Sequence, residues 1–319
     1  MTTTAVSANQ VSVGRLDETQ LDAADRICRV AFGTYMGVPE PETFFGDADY
    51  VRTRFRAPNT VALSALIDGE LAGTNFATSW GSVGFFGPLS VRVDLWDKGI
   101  ASALMEATME VFSKWGTKHA GLFTWADSAK HHGLYQKFGF YPTFLTAIMS
   151  KPVRATGALN VRLLSRESDD PDAAVETCRR VADAVYPGFD LSAEIRSVLE
   201  HELGDVVLVG ETEEPDGFCV CHVGSGTEAG GGTCFVKFGA VRPGPEAPET
   251  FASLLDACET LGAQRGVGRL VAGMNMGRLP AYRSMVARGF RTELTGVAMQ
   301  QAGERGYNRP DAFVIDDWR

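Results

Sequence analysis

Several features that mark other protein classes are missing from this sequence. Its 319 residues contain no apolar run of about 18 residues, the length that a membrane-spanning helix needs. Residues 1–10 lack both the basic start and the apolar run of a secretory signal peptide. The two absences predict a cytoplasmic protein without a membrane partner.

Positive charge is also scarce. The chain has 30 Lys and Arg against 40 Asp and Glu, which gives a formal net charge of −10. We find no dense basic run to meet the phosphates of DNA or RNA, so no nucleic-acid partner is predicted. An acidic surface mildly favours a cationic acceptor such as an amine, although most acidic proteins are acidic only for solubility.

The cysteine and histidine spacings do not form a metal or disulfide motif. None of the six cysteines lies in a C-x-x-C pair, and the five histidines lack metal-ligand spacing. Cys219 and Cys221 alternate along a predicted strand and so share one face. The sequence therefore predicts buried reduced thiols and no metal.

What the chain does contain is a long internal repeat. Cys28-Arg29 recurs at Cys178-Arg179, a shift of 150 residues, and Gly139-Phe140 recurs in the same order as Gly289-Phe290. Two further dipeptides, Leu145-Thr146 and Asp68-Gly69, recur at nearly the same shift. A repeat of this length is typical of a duplicated domain. With a boundary inside residues 151–160, it predicts domains at residues 1–153 and 154–319.

Apolar periodicity predicts the elements of each half. One helix face is marked by Leu21, Ala24, Ile27, Cys28, Ala31 and Phe32, and its counterpart by Val175, Cys178, Val181, Ala182 and Val185. Asp68-Gly69 predicts a tight hairpin turn. Strands are predicted over residues 85–93, 121–125 and 144–149, with a helix over 100–118 and another that ends at Gly139. The first of these helices is expected to turn inward Ala103, Leu104, Ala107, Val111 and Trp115.

The first motif with chemical content is Leu89-Ser-Val-Arg-Val-Asp-Leu-Trp-Asp-Lys-Gly-Ile-Ala-Ser102. A strand runs into a loop, and a long helix begins after Gly99. The first amides of a helix have no intrahelical partners and lie at the positive end of its dipole. Gly99 and Ala101 let an anion approach the backbone, and Lys98 adds charge. The motif suits a pyrophosphate, although an ordinary strand-to-helix turn with one glycine has the same appearance.

The second motif spans residues 128–142, where Tyr135 falls four residues before Gly139. Together the two motifs resemble the GNAT superfamily of N-acetyltransferases. The pyrophosphate loop of that family begins with Gln or Arg and continues x-x-G-x with Gly or Ala, and residues 96–101 match it except at Trp96. The later family motif, roughly N-x-x-A-x-x-x-Y-x-x-x-G-F, is matched at Tyr135 and at Gly139-Phe140. Ser128 and His131 depart from it.

The resemblance implies an α+β (mixed α/β) fold of two tandem GNAT-like domains, each a twisted mixed, mostly antiparallel sheet flanked by helices. It implies an N-acyltransferase that moves an acetyl group from acetyl-CoA to the primary amine of a small molecule by direct attack. Tyr135 would be the acid that protonates the departing thiolate. The implied cofactor-binding residues are Val91, Arg92, Val93, Trp96, Asp97, Lys98, Gly99, Ile100, Ala101, Ser102, Ser128 and Lys137.

In this interpretation pantetheine pairs with the backbone of Val91 and Val93 as an added strand would. A backbone N–H near Val91 would stabilise the oxyanion. The general base stays open between Asp94, Ser90 and water. His131 and His132 are expected on a solvated helix face.

The second half lacks the corresponding loop. At a shift of 150 residues Gly99 falls on Glu249 and Tyr135 on Met285, while prolines at positions 243, 245 and 248 remove amide donors. We therefore expect a degenerate copy that binds no CoA. The tail over residues 303–319 is expected to be ordered, with a short strand at Val314-Ile315, and to pack either on the domain seam or on its own half.

Two alternatives to this function stay open. One is a non-catalytic acyl-CoA sensor or interaction module. The other is an acyltransferase that uses a longer acyl group or a protein N-terminus. Oligomer formation is also left open by the sequence.

Overall fold

The fold is described from a computed structural model that covers residues 11–154, 161–167, 170–211, 214–303 and 306–319. The N-terminal residues 1–10 and most of the predicted domain boundary, residues 155–160, lie outside the described part. Within that part, no helix is long and apolar enough to cross a bilayer.

The first half alternates strands and helices around one end of a large sheet. Its elements are β1 (Val11–Arg15), α1 (Leu21–Tyr35), α2 (Tyr50–Arg56), β2 (Thr60–Ile67), β3 (Glu70–Trp80), β4 (Val83–Phe86), β5 (Ser90–Val91), α3 (Ile100–Trp115), β6 (His119–Trp125), α4 (Ala129–Gln136) and β7 (Phe140–Pro152). The predicted hairpin lies between β2 and β3, where Asp68 and Gly69 both adopt positive φ (51° and 83°).

The second half repeats this order. Its elements are β8 (Arg162–Leu163), α5 (Leu164–Glu167), α6 (Pro171–Val185), α7 (Ser192–Glu200), β9 (Gly204–Gly210), β10 (Pro215–Gly224), β11 (Gly230–Val241), α8 (Ala247–Gln264), β12 (Arg269–Asn275), α9 (Leu279–Ala287), β13 (Arg291–Gln301) and β14 (Val314–Ile315). The helices α1 and α6 have the same length and start 150 residues apart. The mixed α/β fold expected from the sequence is confirmed.

All the strands join one continuous sheet, because the two halves exchange their last long strands. The main order is β1-β2-β3-β4-β6-β13-β7-β12-β11-β10-β9-β8. Strand β13 of the second half pairs with β6 of the first, and β7 of the first half pairs with β12 of the second. The two sheets expected from the sequence therefore cannot separate without breaking strand pairs in both.

Strands β6 and β7 extend beyond their predicted limits, whereas two other elements break or end early. The expected single strand over residues 85–93 is split into β4 and β5, because Gly87 has a φ of 142° and Pro88 has no amide hydrogen to donate to the ladder. The helix expected to reach residue 118 ends at Trp115, where Gly116 adopts a left-handed conformation.

The buried face of α3 also differs from the expected one. The fully buried residues are Ile100, Leu104, Met105, Thr108 and Phe112, so of the five predicted inward residues only Leu104 belongs to the buried stripe. The polar Thr108 lies inside because Asn75 of β3 donates a hydrogen bond to its hydroxyl over 2.8 Å. Val111 and Trp115 are half-buried instead.

Helices cover both faces of the first half. Val61 and Leu63 of β2 pack with α3, whereas the alternate residue Ala62 packs with α1. Successive residues of a strand point to opposite faces, so α1 and α3 lie on opposite sides of the sheet. Between α1 and α3, the parallel strands β4 and β6 pair over three residues only, Val83–Phe85 with His119–Gly121, and then diverge. The divergence leaves a gap through the sheet.

The equivalent gap of the second half is filled by the tail. Strands β11 and β12 pair in parallel over four residues, and β14 then pairs with β11 at Gly239 and Ala240. Asp316 bridges to Met274 on β12. The strand predicted at Val314-Ile315 is confirmed, and it lies in the gap of the degenerate copy.

Buried polar groups tie the seam between the halves. The guanidinium of Arg54 donates to both carboxylate oxygens of Glu228 over 3.0 and 2.9 Å, and the ammonium of Lys237 lies 2.8 Å from the same carboxylate. Arg54 also donates to the Gly87 carbonyl over 2.6 Å. The six cysteines are all buried and free, as expected.

We expect Trp318→Ala to lower the free energy of unfolding by about 3–5 kcal/mol, the usual cost of emptying a large aromatic site. Trp318 is 3% exposed and contacts Gly121 and His119 of β6, and its indole N–H donates to the Tyr307 hydroxyl over 3.0 Å. Urea denaturation followed by circular dichroism measures the loss. Tyr141→Ala, which removes a 51% exposed ring, is the control and should change stability by at most about 0.5 kcal/mol. An equal loss of unfolding free energy in Trp318→Ala and Tyr141→Ala would contradict the packing of the tail on the seam.

Candidate active site

A cavity of about 810 Å³ occupies the gap between β5 and β6. Residues of α1 line it from one face of the sheet, and the first turn of α3 with part of α4 lines it from the other. Because these helices lie on opposite sides, the cavity passes through the sheet. Such a passage allows two molecules to meet from opposite faces.

The α3 end of the cavity has the geometry of an anion site. Gly99 caps the helix in a left-handed conformation (φ 84°), with no atom within 4 Å of where a Cβ would stand. The first intrahelical bond runs from the Ala103 N–H to the Gly99 carbonyl, so the amides of residues 100–102 precede it and are free for a ligand. Ile100, Ala101 and Ser102 all line the cavity.

Trp96 and Lys130 complete that end. The Trp96 indole N–H donates to the Val91 carbonyl over 2.9 Å, which fixes the ring against β5. The ammonium of Lys130 lies 5.3 Å from the ring centroid and 2.7 Å from an Asp97 carboxylate oxygen. Trp96 is uncharged, but its ring packs against Lys130, which lines the same end of the cavity as the first amides of α3.

Tyr135 and His131 lie next to each other in the middle of the lining, with ring centroids 6.4 Å apart. Tyr135 is buried, which raises the pKa of its phenol and keeps it protonated. Burial, reinforced by Lys130, lowers the pKa of His131. Its Nδ1 is buried without a hydrogen-bond partner, a further penalty for the imidazolium form, in which both nitrogens donate.

The structure brings most of the residues inferred from the motifs into one lining. Those that line the cavity are Val91, Trp96, Asp97, Gly99, Ile100, Ala101, Ser102, Tyr135 and Lys137. Lys98 belongs to the same loop but stays outside the lining.

Three other predicted residues are engaged elsewhere. Arg92 points away to Asp94 (2.8 Å) and Glu70 (3.4 Å). Val93 lies in a 3-10 turn, and its carbonyl accepts from the Trp96 N–H, so it does not extend β5 as an edge for pantetheine. The Ser128 hydroxyl caps α4 by accepting from the His131 N–H. Ser128 therefore caps its own helix and does not line the cavity.

The structure also corrects the expectations for the general base. His131 lines the cavity instead of a solvated helix face, whereas the His132 Nε2 lies 3.1 Å from the Trp125 carbonyl, outside the lining. Asp94 is paired with Arg92 and lies outside the lining, whereas Ser90 lines the cavity and its hydroxyl lies 3.1 Å from that of Thr74. Sequence reasoning missed Lys130 entirely, because its position over Trp96 depends on the docking of α4 against the α3 loop.

The second half offers no comparable anion site at the equivalent place. Helix α8 begins at Ala247 with Glu246 as its cap, so Glu246, and not Glu249, is the structural counterpart of Gly99. Glu249 still lies in the first turn, and Asp216 lines the same shallow surface groove. Three carboxylates at a helix start repel an anion.

Comparison with known proteins finds a family match in the first half of the chain and similar folds over the whole of it. Residues 27–140 match the family model described as the acetyltransferase (GNAT) family, and no curated protein matches the chain. A Pyrococcus horikoshii protein described as a candidate acetyltransferase shares 11% identity over 100% of this chain and 98% of its own, with a TM-score of 0.69. A GCN5-related N-acetyltransferase from Sphaerobacter thermophilus shares 13% identity over 95% of this chain and 100% of its own, with a TM-score of 0.57.

At these identities the solved structures show the fold alone, and they show it across both halves. The family match covers the cavity residues from α1 to α4. Through residues 27–140, the chain is therefore similar to the GNAT family of acetyltransferases.

Proposed function

We propose that the protein moves an acetyl group from acetyl-CoA to the primary amine of a small molecule, and that the first half of the chain performs the reaction. The observation that carries this proposal is the cavity through the sheet, which has free helix amides at one end and Tyr135 with His131 beside the gap. Direct transfer needs two substrates held in contact, and each can reach the gap from its own face.

The acetyl-CoA would enter from the α3 face. Its pyrophosphate would accept hydrogen bonds from the amides of residues 100–102, with Lys130 as the nearby cation. Pantetheine would lie along the open edge of β5, as β14 lies along β11 in the second half. That internal strand supports the proposal, because it shows how an extended chain fits a gap of this shape.

The chemistry follows from the two polar groups beside the gap. The neutral amine nitrogen attacks the thioester carbonyl carbon, and neutral His131 takes the proton that this nitrogen loses as the C–N bond forms. A backbone N–H near Val91 stabilises the oxyanion. As the C–N bond forms and the C–S bond breaks, Tyr135 protonates the departing sulfur, and the imidazolium returns its proton to the phenolate through solvent. The amine proton thus ends on the thiol of CoA.

Tyr135→Phe tests the acid. Loss of the hydroxyl should lower the turnover number by about 10- to 10,000-fold, the range for a lost acid–base group, with little change in acetyl-CoA affinity. Steady-state kinetics of CoA release measure the first quantity and calorimetry the second. Tyr141→Phe, on an exposed ring outside the cavity, should leave both unchanged. Full turnover in Tyr135→Phe would remove this residue from the mechanism.

The pH profile tests the base. The imidazole acts in its neutral form, so activity falls as pH falls through the pKa of His131, which burial holds below 6.5. With an acceptor whose amine is still neutral at about pH 5, the acidic limb of kcat/KM should lie below pH 6.5. His131→Gln should abolish that limb and lower kcat by about 100- to 10,000-fold.

His132→Gln is the matched control for this experiment, since His132 is the next residue of the same helix and does not line the cavity. It should keep both the limb and the rate. If His131→Gln and His132→Gln gave the same dependence of kcat/KM on pH, His131 would not be the base.

The single binding site is tested by Gly99→Glu, which gives the first loop the cap found at Glu246. It should abolish CoA binding, because a carboxylate about 4 Å from phosphate at an effective dielectric near 20 costs on the order of several kcal/mol before screening. Gly99→Ala carries the same backbone strain without the charge and serves as the control. Calorimetry should find one CoA per wild-type chain. Two equivalent sites, or intact binding in Gly99→Glu, would contradict the assignment of the halves.

A non-catalytic acyl-CoA sensor stays the alternative. It would bind acetyl-CoA in the same cavity but release no CoA with any amine. The neutral imidazole of His131 beside the protonated phenol of Tyr135 favours the enzyme over the sensor, because acid–base catalysis requires such a pair whereas binding alone does not.

A further inference from the structure

The α1 end of the cavity is built from aromatic rings. We propose that the acceptor is an amine carried on a planar aromatic body and that this wall binds its ring; the inference rests on the proposed acetyl transfer. We define the aromatic wall as Phe32, Tyr35, Phe44, Phe45, Tyr50 and Trp125, all of which line the cavity.

The position of the aromatic wall assigns it to the acceptor. Its members come from α1, the start of α2, the segment between them and the end of β6. The free amides at Gly99 lie on the opposite face of the sheet, with α3. If acetyl-CoA enters from the α3 face, the second substrate has to pass the aromatic wall to reach the thioester.

The geometry of the wall suits another ring. Phe32 packs on Phe45 with centroids 5.4 Å apart, and Phe45 meets Phe44 edge-on at 4.5 Å. Tyr35 stacks on Trp125 at 5.7 Å and an interplanar angle of 22°. Tyr35 is 39% exposed, so the outer edge of this series stays open. Aromatic rings add to such series in offset or edge-on contact.

The charges near the wall disfavour a polycationic acceptor. Among the described residues, Asp97 is the only carboxylate side chain in the cavity lining, and it lies at the α3 end paired with Lys130. Glu228 is bound to Arg54, and Asp49 caps α2 by accepting from the Arg52 N–H over 2.8 Å. In this lining a diamine or aminoglycoside would find no free carboxylate side chain, whereas a single amine that reacts in its neutral form needs none.

The second half finishes this end of the cavity. Leu294 of β13 and Trp318 of the tail both line it. They reach it because β13 is exchanged into the first half and the tail crosses the seam. The degenerate copy therefore contributes apolar surface to the acceptor end, although it lacks an anion site of its own.

The test compares two amines of matched size, 2-phenylethylamine and 2-cyclohexylethylamine, together with putrescine as a dication. Acetylation by the wild-type protein should favour the phenyl compound over the cyclohexyl one by about 3- to 10-fold in kcat/KM, the value of an aromatic contact, and over putrescine by more. Tyr35→Leu should raise KM for the phenyl compound by a similar factor and leave KM for acetyl-CoA unchanged. Tyr141→Leu is the matched control and should change neither.

Equal rates for the phenyl and cyclohexyl amines, or a preference for putrescine, would overturn the aromatic acceptor while leaving acetyl transfer in place. A preference for hexanoyl-CoA that Tyr35→Leu removes would assign the wall to the acyl chain and overturn it too. Calorimetry of the phenyl amine with the CoA-bound protein separates the two proposals. Binding that Tyr35→Leu weakens, without turnover of any amine, would support the aromatic site and defeat only the proposed reaction.

Discussion

The site depends on how few residues of two parallel strands pair with each other. Strands β4 and β6 pair over three residues and then diverge, because the chain breaks its ladder at Gly87-Pro88 before β5 continues along β3. The divergence opens a passage between two faces that helices otherwise cover. In the first half it stays open as the cavity, and in the second half β14 occupies it. One geometry thus leaves a cavity in one half and is filled by a strand in the other.

The two halves are held together by exchanged strands and by buried charge. Arg54 reaches from α2 to Glu228 of the second half and also to the Gly87 carbonyl at the strand break. Removing one partner of such a buried ion pair costs about 3–5 kcal/mol, because the other charge is then left buried without compensation. The contact also connects the second half directly to the backbone that opens the gap. The second half thus supports the cavity of the first through this contact.

The two ends of the cavity differ in the chemistry they offer, and the sheet keeps them apart. Helix amides and Lys130 face one side, where a pyrophosphate can replace their water with charge-assisted hydrogen bonds. Aromatic rings face the other side, where apolar surface favours a ring and disfavours extra charge. Tyr135 and His131 lie between, in surroundings that hold one protonated and the other neutral. The two titratable side chains thus lie at the boundary between the two environments.

Local patterns determined much of this protein. The Asp68-Gly69 turn, the buried face of α6 and the strand at Val314 follow from backbone preference and periodicity, which act over a few residues. The anion site before α3 was also readable, since a helix start and Gly99 suffice to form it. The exchange of β7 and β13 could not be predicted from the sequence, because the last strand of each half could equally pair within its own half. Nor could the sequence place Tyr35 on Trp125 or Lys130 over Trp96, since these residues meet only after helices dock on a completed sheet. Thr108 turned inward for the same reason: its partner, Asn75, lies on another strand, and only tertiary packing brings the two together.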